Sequence, residues 1–265
     1  MENSFVHKVS KGSRFNQIYI PYEKENEFEP GDLVEVRLLK KGITIYYSKN
    51  LKKLSNFKER LIEDIFKFLS KHNDIKQIFI FGSFLTKKID YKDIDILILT
   101  QEKNDKFENK VYNDLIDAFN LNFHIIFFNE EKLKELLEIC PLTRSMLYYY
   151  VSNKLFRIPK EIKIDEKHIK FLLMMPENLL EVNLDYGEEY YNALRKLYTI
   201  ENFLIRKEIS PDKIDAYLEN LIEKRKLDLL KRNEILDKII LTEVKSIIKN
   251  ELEKVYRRMN YGEKK

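Results

Sequence analysis

Ile78-Phe79-Ile80-Phe81-Gly82-Ser83 is followed, nine residues on, by Asp93-Ile94-Asp95-Ile96-Leu97-Ile98-Leu99. Both runs are apolar, rich in β-branched and aromatic residues and of strand length, so they read as buried strands. The first ends in a Gly-Ser turn. A glycine has no Cβ and lets backbone approach a ligand closely. The amides after it predict the opening of a helix, whose positive end suits phosphate, and the Ser83 hydroxyl adds a hydrogen bond. The second run opens with carboxylates at i and i+2. Strand side chains alternate, so Asp93 and Asp95 are expected on one face and Ile94 and Ile96 on the other. Two like charges beside apolar strands are costly unless something compensates. A divalent cation does so, since Mg²⁺ takes one or two carboxylates together with substrate phosphate oxygens. A phosphate cradle and a metal pair on neighbouring strands are the equipment for in-line attack on a nucleotide α-phosphate. A Gly-Ser turn alone carries no such meaning, and a lone Asp-x-Asp is commonly a strand-entry pair; the combination is what is specific.

Working outward, the flanking sequence predicts a small α/β unit over residues 51–158. Leu51, Leu54, Phe57, Leu61, Ile62, Ile65, Phe66 and Leu69 fall at helical spacing. After the two strands, Glu108 to Phe119 reads as a helix, Asn122 to Phe128 as a third strand, Glu130 to Ile139 as a helix, and Leu142 to Tyr150 as helical too. Residues 159–265 read as helices throughout, with Leu179 to Ile205, Pro211 to Leu230 and Ile235 to Arg258 as three long segments. Ser210-Pro211 looks like an N-cap followed by an N1 proline. Residues 1–50 read as β: Phe5 to Val9, Gln17 to Ile20, Leu33 to Leu38 and Ile43 to Tyr47 are short strand-like runs separated by turns containing Gly12, Gly31 and Gly42. A unit that small has a thin core and calls for a partner surface. The expected class is α+β: a small N-terminal β module, a central α/β domain and a C-terminal helical bundle.

An apolar strand, Gly82-Ser83, a short spacer and Asp93-Ile94-Asp95 in a second strand together resemble the minimal nucleotidyltransferases of the DNA polymerase β superfamily. That resemblance covers about residues 76–150. It implies transfer of a nucleoside monophosphate, AMP being expected, from an NTP (expected ATP) to a hydroxyl of a protein or RNA acceptor. It implies Mg²⁺ or Mn²⁺ on Asp93 and Asp95, and triphosphate on Gly82 and Ser83. The family often carries a third carboxylate on the next strand. The position aligned with it here is His124, which can act as a general base, its ordinary pKa lying near neutrality, or mark a weakened or lost activity. Lys87 and Lys88 follow the Gly-Ser turn, where solvated lysines are the simpler reading than phosphate contacts.

The N-terminal residues Val9 to Arg14, Ile18-Tyr19-Ile20-Pro21 and Pro30-Gly31-Asp32-Leu33-Val34-Glu35-Val36 resemble an AbrB-like swapped-hairpin module. This implies a homodimer, with DNA contact through Lys11 and Arg14, although the acidic stretch Tyr22 to Glu29 opposes a phosphate backbone. Tyr190 to Tyr198 resembles a helix of HEPN-type domains. The ribonuclease members of that group need an Arg followed closely by His, and no His follows His168, so a ribonuclease reading is rejected. The alternative to an enzyme is a DNA-binding regulator or antitoxin-like protein whose transferase domain binds nucleotide but is weakly active or inactive.

Composition sets outer bounds. The 265 residues are 44% hydrophobic and 35% charged, yet the net charge is only +4. Such a balance makes no case by itself for nucleic-acid binding. The single cysteine, Cys140, excludes an internal disulfide and reads as a small helix-end residue before Pro141. The polar N-terminus and the lack of any long apolar run predict a cytoplasmic protein with no membrane contact.

Overall fold

The computed structural model describes residues 4–37, 42–86, 91–101 and 104–262, the last three residues by backbone only. Lys87 and Lys88 lie outside the described residues, as do Leu38 and Lys41. The chain forms two compact units, residues 1–42 and 43–265.

In the first unit, β1 (Ser10–Lys11) and β2 (Asn16–Gln17) form an antiparallel hairpin, and Tyr22–Glu27 is a 3₁₀ helix. The longer strands expected at Phe5 to Val9, Gln17 to Ile20 and in the described part of Leu33 to Leu38 are absent. No residue between 4 and 37 is buried. With so few residues to pack against, these apolar runs find neither ladder partners nor a core within the unit.

The second unit opens with β3 (Tyr46–Tyr47), then α1 (Asn56–Leu69), β4 (Ile75–Phe81), β5 (Ile94–Thr100), α2 (Asp105–Phe119), β6 (Phe123–Phe128), α3 (Glu130–Ile139), α4 (Pro141–Met146) and β7 (Tyr150–Ser152). Sheet order is β3-β7-β4-β5-β6. All neighbours are antiparallel except β5 and β6. Two expectations change here. Tyr46–Tyr47, grouped above with the N-terminal strands, pairs instead with β7. Tyr150, read as the end of a helix, begins that strand, because the β4 edge offers Phe79, Ile80 and Phe81 as ladder partners.

The two-residue period of the strands divides the packing. Ile78, Ile80, Ile94, Ile96 and Ile98 join Ile62, Ile65 and Phe66 of α1 and Val111 and Leu115 of α2. Phe79, Phe81, Leu97 and Leu99 face the other way, onto Leu133 and Leu137 of α3. The Arg144 guanidinium donates to the carbonyls of Leu137 and Pro159, each at 2.7 Å, and so ties α3 and α4 to the chain leaving the sheet.

The remainder is helical: α5 (Glu166–Glu181), α6 (Glu188–Leu204), α7 (Pro211–Leu221), α8 (Lys224–Lys231) and α9 (Lys238–Gly262). The segment read as one helix from Leu179 to Ile205 is broken. A Cβ on Gly187 would lie 2.5 Å from the Leu230 Cα, so α6 can start against α8 only at a glycine. α6 is the central helix, burying Tyr190, Ala193, Leu194, Leu197, Ile200 and Phe203. Among the described residues, no helix is long and apolar enough to cross a membrane.

Candidate active site

The site is built where β4 ends and β5 begins. Phe81 pairs with Asp95 across the two strands, and Gly82 follows with φ +78° and ψ −159°, a conformation that L side chains rarely adopt. A Cβ on Gly82 would sit 1.9 Å from Asp95 Oδ2. The glycine is thus required twice, by its own backbone and by the carboxylate against it. Ser83 is exposed and starts a 3₁₀ turn of only three residues, Ser83–Leu85. The short helix or turn expected after Gly82 is this single 3₁₀ turn, so its amides, rather than the macrodipole of a long helix, are available to an anion.

Asp93 stands one residue before β5 and Asp95 is its second residue. Ile94 and Ile96 are buried against α1 and α2, which leaves the two carboxylates to the opposite side by strand alternation. β6 runs parallel to β5 with His124 in register with Asp95. His124 Nδ1 lies 3.0 Å from Asp95 Oδ1, the imidazole 59% exposed and the carboxylate 18%. Burial raises the Asp95 pKa above the usual carboxylate range. The hydrogen bond from His124 pulls it down, the charge of Asp93 pushes it up, and the net direction is upward.

Sequence reasoning missed Lys58. It occupies the α1 face between Leu54 and Ile62, is only 8% exposed, and donates from Nζ to the Thr86 carbonyl at 2.9 Å. Its ammonium lies 5.3 Å from the Phe84 ring centre and 5.5 Å from that of Tyr91. Burial lowers its pKa. Lys58 therefore clamps the Gly-Ser turn from behind. The available signal was a lysine at i+4 from Leu54 and i−4 from Ile62. Phe57, placed above at helical spacing with Leu54 and Ile62, is 65% exposed, while its neighbour Lys58 is buried.

The Gly-Ser turn opens into a cleft of about 1360 Å³ between the sheet unit and the helices, lined by Gly82, Ser83, Lys58 and Tyr91 on one side and by Tyr191, Arg195 and Lys196 of α6 on the other. Tyr148 and Tyr149 join the two sides, donating to Glu208 at 2.7 Å and Asp212 at 2.6 Å. Cys140 is buried between α3 and α4. In the N-terminal unit, Lys11 and Arg14 are exposed on and beside the β1–β2 hairpin.

Among the described residues, no group of three or more His, Cys, Asp or Glu side chains is arranged to hold a metal ion. The donor set at this site is two carboxylates whose mutual repulsion is already felt by Asp95. That suits a cation completed by substrate oxygens rather than a cage made by protein alone.

Residues 63–148 match the family model described as Polymerase beta, Nucleotidyltransferase. The matched segment contains Gly82, Ser83, Asp93, Asp95 and His124, and the match supports a nucleotidyltransferase-type function for this part of the chain. No curated protein matches the chain.

Proposed function

We propose that this protein transfers a nucleoside monophosphate, AMP in the first instance, from an NTP to an acceptor hydroxyl. The observation that carries the proposal is the Asp95 carboxylate pressed against the Gly82 backbone, which sets a would-be phosphate-binding turn directly beside a would-be metal ligand. In this reading the amides after Gly82 and the Ser83 hydroxyl hold the triphosphate. A divalent cation, Mg²⁺ or Mn²⁺, held by Asp93 and Asp95 would neutralise charge that develops on the phosphates. The acceptor oxygen attacks the α-phosphorus, a new P–O bond forms, the bond to the β-phosphate breaks and pyrophosphate leaves. An ionised Asp95 can only accept a hydrogen bond, so the His124 proton belongs on Nδ1. In the neutral tautomer that donates from Nδ1, Nε2 is the acceptor that would take the proton of the acceptor hydroxyl.

The test is incubation of the protein with labelled ATP, CTP, GTP or UTP, Mg²⁺ and cell extract. Transfer by the natural protein that is lost in both Asp93→Ala and Asp95→Ala supports the reading; transfer retained in both variants sinks it.

A second reading concerns the N-terminal unit. Val6, Val9, Phe15, Ile18, Tyr19, Ile20, Leu33, Val34 and Val36 are exposed there. A second copy of the chain, exchanging hairpins, would bury them and make a homodimer. Lys11 and Arg14 would then flank a DNA-contacting surface, and the transferase domain would serve a regulator. Duplex binding that is lost in Lys11→Ala/Arg14→Ala, without any label transfer, would favour this regulator over the enzyme.

A further inference from the structure

The contacts of Lys58 reach both halves of the site. Its ammonium donates to the Thr86 carbonyl. Thr86 in turn donates twice to the Ser83 carbonyl, from its amide at 3.0 Å and from its hydroxyl at 2.7 Å. A trans peptide sets each C=O antiparallel to the N–H that follows it. Fixing the Ser83 carbonyl therefore aims the Phe84 amide the opposite way, out of the turn, where a phosphate oxygen can meet it. The same ammonium stands over the ring of Phe84, which is fully buried. Lys58 thus grips the Gly-Ser turn at residues 84 and 86.

The Tyr91 ring also faces this ammonium, at 5.5 Å, and meets the Phe84 ring edge-on at 5.0 Å. Tyr91 comes two residues before Asp93, and residues 87–90 connect it to Thr86. One side chain from α1 therefore fastens both ends of the connection between the turn and the carboxylate strand. A lysine that only covered apolar surface would run its ammonium out to water. Lys58 instead keeps its charge beside two rings and a carbonyl, and burial lowers its pKa, a cost that a leucine at the same place on α1 would not carry.

We infer that Lys58 is a positioning residue that sets the distance between the phosphate turn at Gly82-Ser83 and the carboxylate pair at Asp93 and Asp95, so that a nucleoside triphosphate and a divalent cation fit the site together. The inference rests on the transfer reading above and adds a device that acts through Phe84, Thr86 and Tyr91. With the spacing held, each ligand meets the other half of the site already in place, and the two bind cooperatively.

The experiment uses the full chain, Mn²⁺ and α,β-methylene ATP, which cannot be cleaved at the α-phosphate. Nucleotide affinity is measured with and without Mn²⁺, and the ratio is the coupling. In the natural protein the ratio should be about tenfold or more, within the range such couplings cover. Lys58→Met keeps the apolar stem and removes the charge and the hydrogen bond; it should lower the ratio by about tenfold, as loss of a partner that orients a binding group does. Tyr91→Leu leaves Lys58 on Thr86 and should lower the ratio too. Urea midpoints without ligand are taken for every variant. A midpoint that falls while the ratio holds would make Lys58 a packing residue only and overturn the inference. A ratio near one in the natural protein would also overturn it, since there would be no coupling for Lys58 to carry. If Lys58→Met does not fold, Tyr91→Leu decides, and an unchanged ratio there overturns the inference. Failure of the transfer reading shows separately, as unchanged labelling in Asp93→Ala and Asp95→Ala.

Discussion

Asp95 and Gly82 exclude any third atom between them: the carboxylate occupies the position that a side chain on residue 82 would take, 1.9 Å from an ideal Cβ. Gly82→Ala therefore meets both a disfavoured backbone at φ +78° and a collision with a site residue. The backbone alone should cost about 1–3 kcal/mol. Chemical unfolding should show that loss, and ATP binding should fall with it as Asp95 is displaced.

His124 and Asp95 form the other contact that shapes the site, at 3.0 Å. In the proposed reading Asp95 holds a cation, and removing the partner that orients such a carboxylate typically costs about 10–100-fold in metal affinity or activity. His124→Ala should reduce label transfer by that order. Measured with Mn²⁺ as the probe, metal binding should weaken as well; an unchanged rate and Mn²⁺ affinity would show that the imidazole does nothing here.

Phe79 packs between two rings, 5.6 Å from Tyr150 and 5.0 Å from Phe156, in the middle of the sheet. Phe79→Ala should destabilise the protein by about 3–5 kcal/mol, with Phe79→Leu clearly milder. Denaturant midpoints read the difference.

Alkaline stability is set in part by tyrosines. Burial, then Asp212's hydrogen bond and charge, hold the Tyr149 hydroxyl up at about 12. Burial with Glu177 does the same for Tyr256, also to about 12. An unfolded tyrosine titrates near 10. The stability these groups contribute is thus fully present below about pH 10 and is lost as pH rises from there through 12, because the unfolded chain releases its protons first. Urea midpoints followed across that window should fall. The fall should be shallower in Tyr149→Phe/Tyr256→Phe; an equally steep profile would remove these two hydroxyls from the account.

The apolar surface of the N-terminal unit makes a further prediction. Analytical ultracentrifugation of the full chain should find a dimer, and removal of residues 1–42 should leave a monomer. A monomeric full chain would dispose of the second-copy reading.

The sheet and its site were legible because their signals are local. β4 and β5 announce themselves by unbroken apolar runs, and Gly82, Asp93 and Asp95 by their place at the strand ends. What escaped was tertiary. Lys58 is buried only because α1 turns that face toward Thr86. Tyr150–Ser152 becomes a strand only because β4 has a free edge. Neither condition can be read from a window of neighbouring residues. The break between α5 and α6 fell outside the periodicity for the same reason, since it depends on Leu230 lying against Gly187, far along the chain. The cleft is a still more distant product, assembled from α1, the Gly-Ser turn and α6.

The strand order carries an implication for how this unit travels in evolution. The family match spans residues 63–148, yet the sheet is completed by β3 and β7, at residues 46–47 and 150–152. A fragment excised at the match boundaries would start partway through α1 and leave the β4 edge bare, ready to pair with other chains. The matched segment is therefore not a complete sheet by itself. Any recombination that moves it must bring along the strands that precede and follow it, and the last of these leads straight toward the helices.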